Sequence, residues 1–245
     1  MRIAFFEITE EEKQEYFSQN LPGHEVKFFE KPLDENFLPE EKDFEIISVF
    51  TASSVNEQII NAFPNLKHIF VRATGFDNVN ITYAKSKNIQ VANVPAYGSN
   101  TVAEYTFGLI LSLSRKIPQA VNRLKVSGEF SFEGFRGFDL NGKTLGVVGT
   151  GKIGTNVIKI AKGFDMEVLA TDQYPNEELS QTLGFRYVNL EDLLKNSDIV
   201  TLHVPLMEQT RHLINKNNIF LMKKGSFLIN TSRGAVIDTD ALSLA

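Results

Sequence analysis

The chain has 245 residues, 42% of them hydrophobic and 22% charged, with a formal net charge of −5. That length suits two compact domains, and the interspersed charges, without a basic run, argue against nucleic acid or an anionic membrane as partner. The lack of cysteine excludes disulfides and thiolate chemistry, and the short, soon acidic start "MRIAFFEITEEEK" is no signal peptide, so a cytoplasmic protein is expected.

Short apolar runs alternate with helical segments, which predicts an α/β fold with parallel strands. In a first domain, residues 1–100, the strand-like runs are "RIAFFEI", "HEVKFFE", "EIISVF", "KHIFVRA" and "IQVANV". Helical spacing recurs in "EEEKQEYFSQN" and "SVNEQIINAF", and "LPGH", "EKPLDENFLPEEKD" and "TGFDN" supply turns. A long helix is predicted from Asn100, capped by Asn100 or Thr101, apolar on most faces and buried between domains, with Pro118 as a kink or break. The aperiodic "SGEFSFEGFRGFDLNGK" reads as a loop crossing between domains.

A second domain, residues 101–245, opens with strand "TLGVVG" and helix "IGTNVIKIAKGF". Strand "EVLATD", helices "NEELSQTLG" and "LEDLLKN", strand "DIVTLHV", helix "INKNNIFLMKKG" and strand "SFLINTS" follow. This is a doubly wound β-α-β series.

Gly149, Gly151 and Gly154 form G-x-G-x-x-G between the first strand and helix of that series. Gly149 permits the tight turn, Gly151 lets backbone approach a pyrophosphate, and Gly154 lets the helix pack closely on the strand. The N–H groups and dipole at the helix start favour phosphate. Asp172, ending the next strand, can accept from both ribose hydroxyls and would repel a 2′-phosphate, so the expected cofactor is NAD. A ligand-free tight turn with a solvated Asp172 is the bland alternative.

Joined to "NVPAYGSNTVAEYT", "LHVPLMEQTRHLIN" and "LINTSRGAVIDTDAL", the glycine loop makes the chain resemble the D-isomer-specific 2-hydroxyacid dehydrogenases from about Phe50 onward. "VRATGFDNVNI" and the tyrosine of "NVPAYG" favour the D-lactate dehydrogenase-like branch. The resemblance implies two Rossmann-like or flavodoxin-like doubly wound domains. It also implies that Lys152 and Ile153 line the pyrophosphate, that Val204 and Pro205 flank the adenine side, and that Thr210 contacts the cofactor phosphate or nearby backbone. It puts Thr231, Ser232 and Arg233 under the nicotinamide, with Arg233 the catalytic arginine. The backbone of Ala73, Thr74 and Gly75 would receive the substrate carboxylate, with Tyr97 at the pocket. The implied reaction interconverts a 2-keto acid and a D-2-hydroxy acid, with pyruvate and D-lactate favoured. A guanidinium fork suits a carboxylate beside a carbonyl. A homodimer is implied too, with the helix from Asn100 and the segment Phe130 to Phe138 as candidate surfaces.

The chain departs from that family at its C-terminal end. The family's proton-donating histidine and its acidic partner lie beyond the "RG…D…AL" segment, and the chain ends at Ala245. The sequence therefore predicts an incomplete cofactor domain, a first domain without its C-terminal return helix, and "SFLINTS" as an exposed apolar edge. His24, His68, His203 and His212 match no acid–base position and read as structural or surface residues, with His203 placed near the adenosine end. No metal is expected, because no histidine and carboxylate cluster has ligand spacing. Two other functions fit less well: a non-catalytic NAD-binding regulator of the same fold, and a dehydrogenase for a larger 2-keto acid, since Thr51 to Val55 offers only small and polar residues.

Overall fold

A computed structural model describes residues 1–13 and 21–245. The chain divides into two compact units, Met1–Tyr97 and Gly98–Ala245, slightly ahead of the boundary expected at residue 100.

In the first unit the strands are β1 (Arg2–Phe6), β2 (Glu25–Phe29), β3 (Ile46–Val49), β4 (His68–Val71) and β5 (Gln90–Asn93). They form a parallel sheet in the order β2-β1-β3-β4-β5, the flavodoxin-like winding. The expected strands are all present. Helix α1 (Glu10–Glu12) carries the first turn of the predicted 10–20 helix, whose remainder lies outside the described residues. Helix α2 (Glu57–Ala62) is capped by Asn56, and α3 (Ile81–Ser86), which the sequence reading did not assign, is capped by Asn80. Phe6, Phe44, Ile47, Ile59 and Ile69 are fully buried in the core of this unit.

The second unit begins with α4 (Ser99–Ser114) and α5 (Ile117–Ser127). Gly98 stands at the N-cap of α4 without a side-chain cap, which corrects the expectation that Asn100 or Thr101 would cap it. Asn100 instead accepts from Asn156 Nδ2 at 2.6 Å. Within this unit α4 buries one face, Ala103, Thr106, Phe107, Ile110 and Ser114, while Glu104, Tyr105 and Gly108 are exposed. The expected single long helix is broken at Lys116, whose φ of 57° is left-handed. Pro118 then lies in the first turn of α5, where a missing N–H costs nothing.

The segment after α5 begins and ends in the second unit, so it does not cross between domains. Phe138 N–H donates to Ser114 O at 3.1 Å, and its ring stacks on Phe227 at 5.4 Å. Then come β6 (Thr144–Val148), α6 (Lys152–Gly163), β7 (Glu167–Thr171), α7 (Glu177–Leu183), β8 (Arg186–Tyr187), α8 (Leu190–Asn196), β9 (Ile199–Leu202), β10 (Phe227–Asn230) and α9 (Thr239–Leu244). The short β8 and terminal α9 are additions to the predicted series.

One predicted helix is absent. Residues 214–225 contain only a 3₁₀ turn at Ile219–Leu221, because asparagine side chains take over the backbone bonding. Asn218 Oδ1 accepts from Asn215 N–H at 2.8 Å, Asn215 Oδ1 from Asn217 N–H at 2.9 Å, and Asn218 Nδ2 donates to Leu213 O at 2.8 Å.

The second sheet is also parallel, in the order β10-β9-β6-β7-β8, so its winding reverses between β6 and β9. In such sheets ligands bind beyond the carboxyl ends of the strands at that switch point. Among the described residues β10 is an edge strand, paired with β9 alone, as the sequence leads one to expect. No helix among the described residues is long and apolar enough to cross a membrane.

Phe44→Ala is expected to destabilise the first unit by about 3–5 kcal/mol, by removing a buried ring and leaving a cavity. Hydrogen exchange resolved by residue should show the loss in β1, β3 and β4, with amides of the second unit unchanged.

Candidate functional site

The second unit's site is built at the β6–α6 turn. Gly149 has φ +92°, and a Cβ there would lie 2.7 Å from His203 O and 2.9 Å from Val204 Cγ1. Both space and backbone conformation therefore demand glycine. Gly154 allows the close approach of α6, since a Cβ there would lie 1.9 Å from Gly149 O. A Cβ on Gly151, the N-cap of α6, would meet nothing within 4 Å. The fold itself does not require glycine at 151, and the open space there lies above a helix N-terminus, a place whose N–H groups could hold a phosphate. Lys152 begins α6 and is exposed, whereas Ile153 is half-buried and packs on the core.

Asp172 stands just beyond β7. Its Oδ2 accepts from Thr150 N–H at 2.6 Å and Thr150 Oγ1 at 2.9 Å, and its Oδ1 from Tyr174 N–H at 2.9 Å. Thr150 Oγ1 also lies 2.8 Å from the Tyr187 hydroxyl. Partial burial opposes ionisation, but the Thr150 and Tyr174 bonds outweigh it and hold the carboxyl below its usual range. Asp172 is thus a fixed anion. Because its folded value is depressed, the stabilisation it contributes is present above the ordinary carboxylate range and lost as pH falls through the lowered value.

At the end of β9, Val204 is half-buried against the first glycine and Pro205 is exposed. The Thr210 hydroxyl closes its own loop, donating to Pro205 O at 2.5 Å and accepting from Met207 N–H at 2.8 Å. Beyond β10, Asn230 organises the next three residues. Its Oδ1 accepts from Ser232 N–H at 2.9 Å and Ser232 Oγ at 2.7 Å, and its Nδ2 donates to Arg233 O at 2.8 Å. The Arg233 guanidinium donates to Ser232 O at 3.1 Å. Thr231 Oγ1 lies 3.1 Å from Thr106 Oγ1 on α4 and 3.4 Å from His203 Nδ1. The glycine turn, Val204, Thr231 and Arg233 thus share the carboxyl edge of one sheet.

In the first unit, loops at the carboxyl ends of the strands are held by Glu7, whose φ is 57°. Its carboxylate accepts from the N–H groups of Phe50, Ala52 and Ser53 at 2.9, 2.7 and 3.1 Å, and from the Ser53 hydroxyl. Arg72 donates to Phe6 O at 2.6 Å and Glu7 O at 3.1 Å, and burial pushes its guanidinium below the usual value. After β4, Thr74 Oγ1 donates to Val94 O at 3.0 Å and Asn93 Nδ2 to Thr74 O at 2.8 Å. No acceptor among the described residues takes the N–H groups of Ala73, Thr74 or Gly75. Tyr97, at the end of this unit, is 64% exposed.

Sequence reasoning missed Thr106, Thr150, Tyr187, Asn230 and Glu7, which position the others. Asn230, an asparagine at a strand end, was the most legible of them, as an Asx turn. Of the histidines, His24 Nδ1 meets the N-terminal amine at 3.4 Å, His68 stacks on Phe70 at 6.3 Å and His212 has a left-handed φ of 51°. Among the described residues, no histidine is within ion-pair distance of a carboxylate, and no group of three or more potential ligands could hold a metal.

A family model described as D-isomer specific 2-hydroxyacid dehydrogenase, NAD binding domain, matches residues 107–245. The chain is 36% identical to a D-lactate dehydrogenase of Escherichia coli over 244 residues, 98% of this chain and 74% of that protein. It is 35% identical to a 2-hydroxyacid dehydrogenase homolog of Zymomonas mobilis over 246 residues, 99% of this chain and 74% of that one. The crystal structure of D-lactate dehydrogenase from Aquifex aeolicus, complexed with NAD and lactic acid, superposes with a TM-score of 0.90 at 38% identity. That match covers 99% of this chain and 72% of the other.

Replacing Asp172 by Ser should weaken NADH binding about ten- to a hundredfold, the cost of losing charge-assisted bonds to the ribose, and should narrow the gap between NADH and NADPH. Fluorescence titration with both dinucleotides measures this. An unchanged preference would remove Asp172 from cofactor discrimination.

Proposed function

The chain belongs to the D-isomer-specific 2-hydroxyacid dehydrogenase family, an NAD-binding oxidoreductase family, and from that premise we propose that it acts on a small 2-keto acid and its D-2-hydroxy acid, pyruvate and D-lactate. The observation that carries this reading is the position of Arg233 on the same carboxyl edge as the glycine turn, in a loop clamped by Asn230. NAD, when bound, supplies or accepts hydride at its nicotinamide.

The residues of this chain hold and orient. Gly149, Gly151, Lys152, Ile153 and Gly154 form the pyrophosphate cradle, Asp172 takes the adenosine ribose, and Val204 and Pro205 border the adenine side. Thr210 shapes the loop beside them through Pro205 O and Met207 N–H. Thr231 and Ser232 lie beneath the nicotinamide. Arg233 presents a planar fork to the substrate carboxylate and carbonyl oxygen, fixing the carbonyl for hydride and stabilising charge that develops on its oxygen. In the first unit, taken by itself, the N–H groups of Ala73, Thr74 and Gly75 have no acceptor among the described residues and suit a carboxylate, and Tyr97 stands exposed at the end of that unit.

Oxamate, an unreactive pyruvate isostere, tests this reading without requiring turnover. The NADH-loaded chain should bind oxamate, and Arg233→Gln should weaken that binding about a hundred- to a thousandfold, the loss of two charge-assisted bonds, while NADH affinity changes less than about threefold. Equal oxamate binding by both proteins would defeat the assignment of Arg233. Stronger competition by a larger 2-keto acid than by pyruvate would move the substrate to that class.

The proposed assembly is a homodimer in the cytoplasm. It is supported by exposed apolar side chains on and after α5: Val121, Leu124, Val126, Phe130 and Phe132, the last two 79% and 81% exposed. Sedimentation should give twice the chain mass, and Leu124→Asp with Phe130→Asp should return it to one chain. A wild-type monomer at micromolar concentration would refute the dimer.

A further inference from the structure

Next to the Arg233 loop lies a partly buried chain of polar groups that runs through one of the four histidines. The Thr106 hydroxyl, on α4, donates to Val102 O at 2.8 Å. Its remaining role toward Thr231 Oγ1, 3.1 Å away, is to accept, so Thr231 spends its proton there. Thr231 Oγ1 can then only accept from His203 Nδ1 at 3.4 Å, which makes that nitrogen the protonated one. The other ring nitrogen, Nε2, accepts from the Thr201 hydroxyl at 2.9 Å. Every hydrogen runs one way: Thr201 to His203 to Thr231 to Thr106 to Val102. A second ring proton, on Nε2, would oblige the Thr201 hydroxyl to turn and accept instead of donate. Burial agrees with this, pushing the His203 imidazole down to about 4, so it is neutral at physiological pH.

The main chain of His203 is equally committed. Its N–H donates to Val148 O at 2.7 Å, and its carbonyl oxygen is the atom that a Cβ on Gly149 would strike at 2.7 Å. One residue therefore touches the glycine turn, the end of β9, the start of the Arg233 loop and, through Thr231, helix α4. We infer that His203 is a positioning residue which, as a neutral imidazole protonated at Nδ1, fixes Thr231 and with it the height of the Thr231–Arg233 loop relative to the glycine turn. This rests on the dehydrogenase reading above, in which that loop serves the nicotinamide half of the cofactor, and it goes beyond that reading in giving His203 a role.

The test compares NADH with ADP-ribose, which has the same pyrophosphate and adenosine but no nicotinamide. His203→Leu should bind NADH about tenfold more weakly and ADP-ribose within about twofold of wild type, the cost of one hydrogen bond appearing only where the Thr231 loop is used. His203→Asn places an amide donor where Nδ1–H stands and should restore NADH binding to within about threefold. Equal weakening toward both ligands would reduce His203 to a structural residue, and unchanged NADH binding in the Leu variant, or no rescue by Asn, would overturn the inference. Failure of the wild-type chain to bind NADH would instead overturn the dehydrogenase reading. A direct readout needs neither variant nor ligand: ¹⁵N spectra of the full chain should show the His203 ring neutral and protonated at Nδ1 at neutral pH. A ring protonated at Nε2 would contradict the inference whatever the binding results.

Discussion

The second unit depends on how closely α6 approaches β6. Gly154 is pressed against the carbonyl of Gly149 so tightly that no side-chain carbon fits between them. That contact forces the chain to reverse within a few residues, which is why Gly149 takes a left-handed conformation. It also aims the N-terminus of α6 along the sheet's carboxyl edge, where Gly151 leaves open space. Once helix and strand are this close, the first N–H groups of α6 lie at the switch point between β6 and β9, where helix starts of this kind favour an anion.

Around that fixed turn, several polar groups on the edge are each held by a neighbouring residue. Asp172 is held by Thr150 and Tyr174, Thr150 by Tyr187, Arg233's loop by Asn230, and Thr231 by Thr106 and His203. A group fixed before its ligand arrives loses less conformational freedom on binding, and an ionised group fixed by N–H donors stays ionised. The first unit follows the same rule by different means. There the carboxylate of Glu7 occupies the N–H groups of Phe50, Ala52 and Ser53, leaving those of Ala73, Thr74 and Gly75 for something else.

What could be read in the sequence follows from this division. Apolar periodicity exposed the main strands, because a strand buried on both faces is a continuous apolar run. The glycine spacing was legible because Gly149 and Gly154 answer steric demands that no other residue meets. The helix predicted over 214–225 failed because Asn215 and Asn218 compete locally for backbone bonds, a contest that apolar spacing does not register. Asn100 looked like a cap, yet its side chain is claimed by Asn156, far away in sequence. Thr150, Tyr187 and Thr106 were invisible for the same reason: their value lies in partners that only the fold brings near.

His203 shows how far that limit reaches. By sequence it was one of four histidines without an acid–base role; in the structure its two nitrogens are engaged by threonines, and no carboxylate among the described residues faces them. A catalytic histidine must change protonation state during turnover, whereas this one has only hydroxyl partners and no carboxylate among the described residues to balance a second proton. The same burial that disqualifies it from acid–base work makes it rigid, and rigidity is what the Arg233 loop requires. On the proposed reading, the α6 turn and the β10 loop, which share one sheet edge, are joined through a residue whose usefulness lies in remaining uncharged.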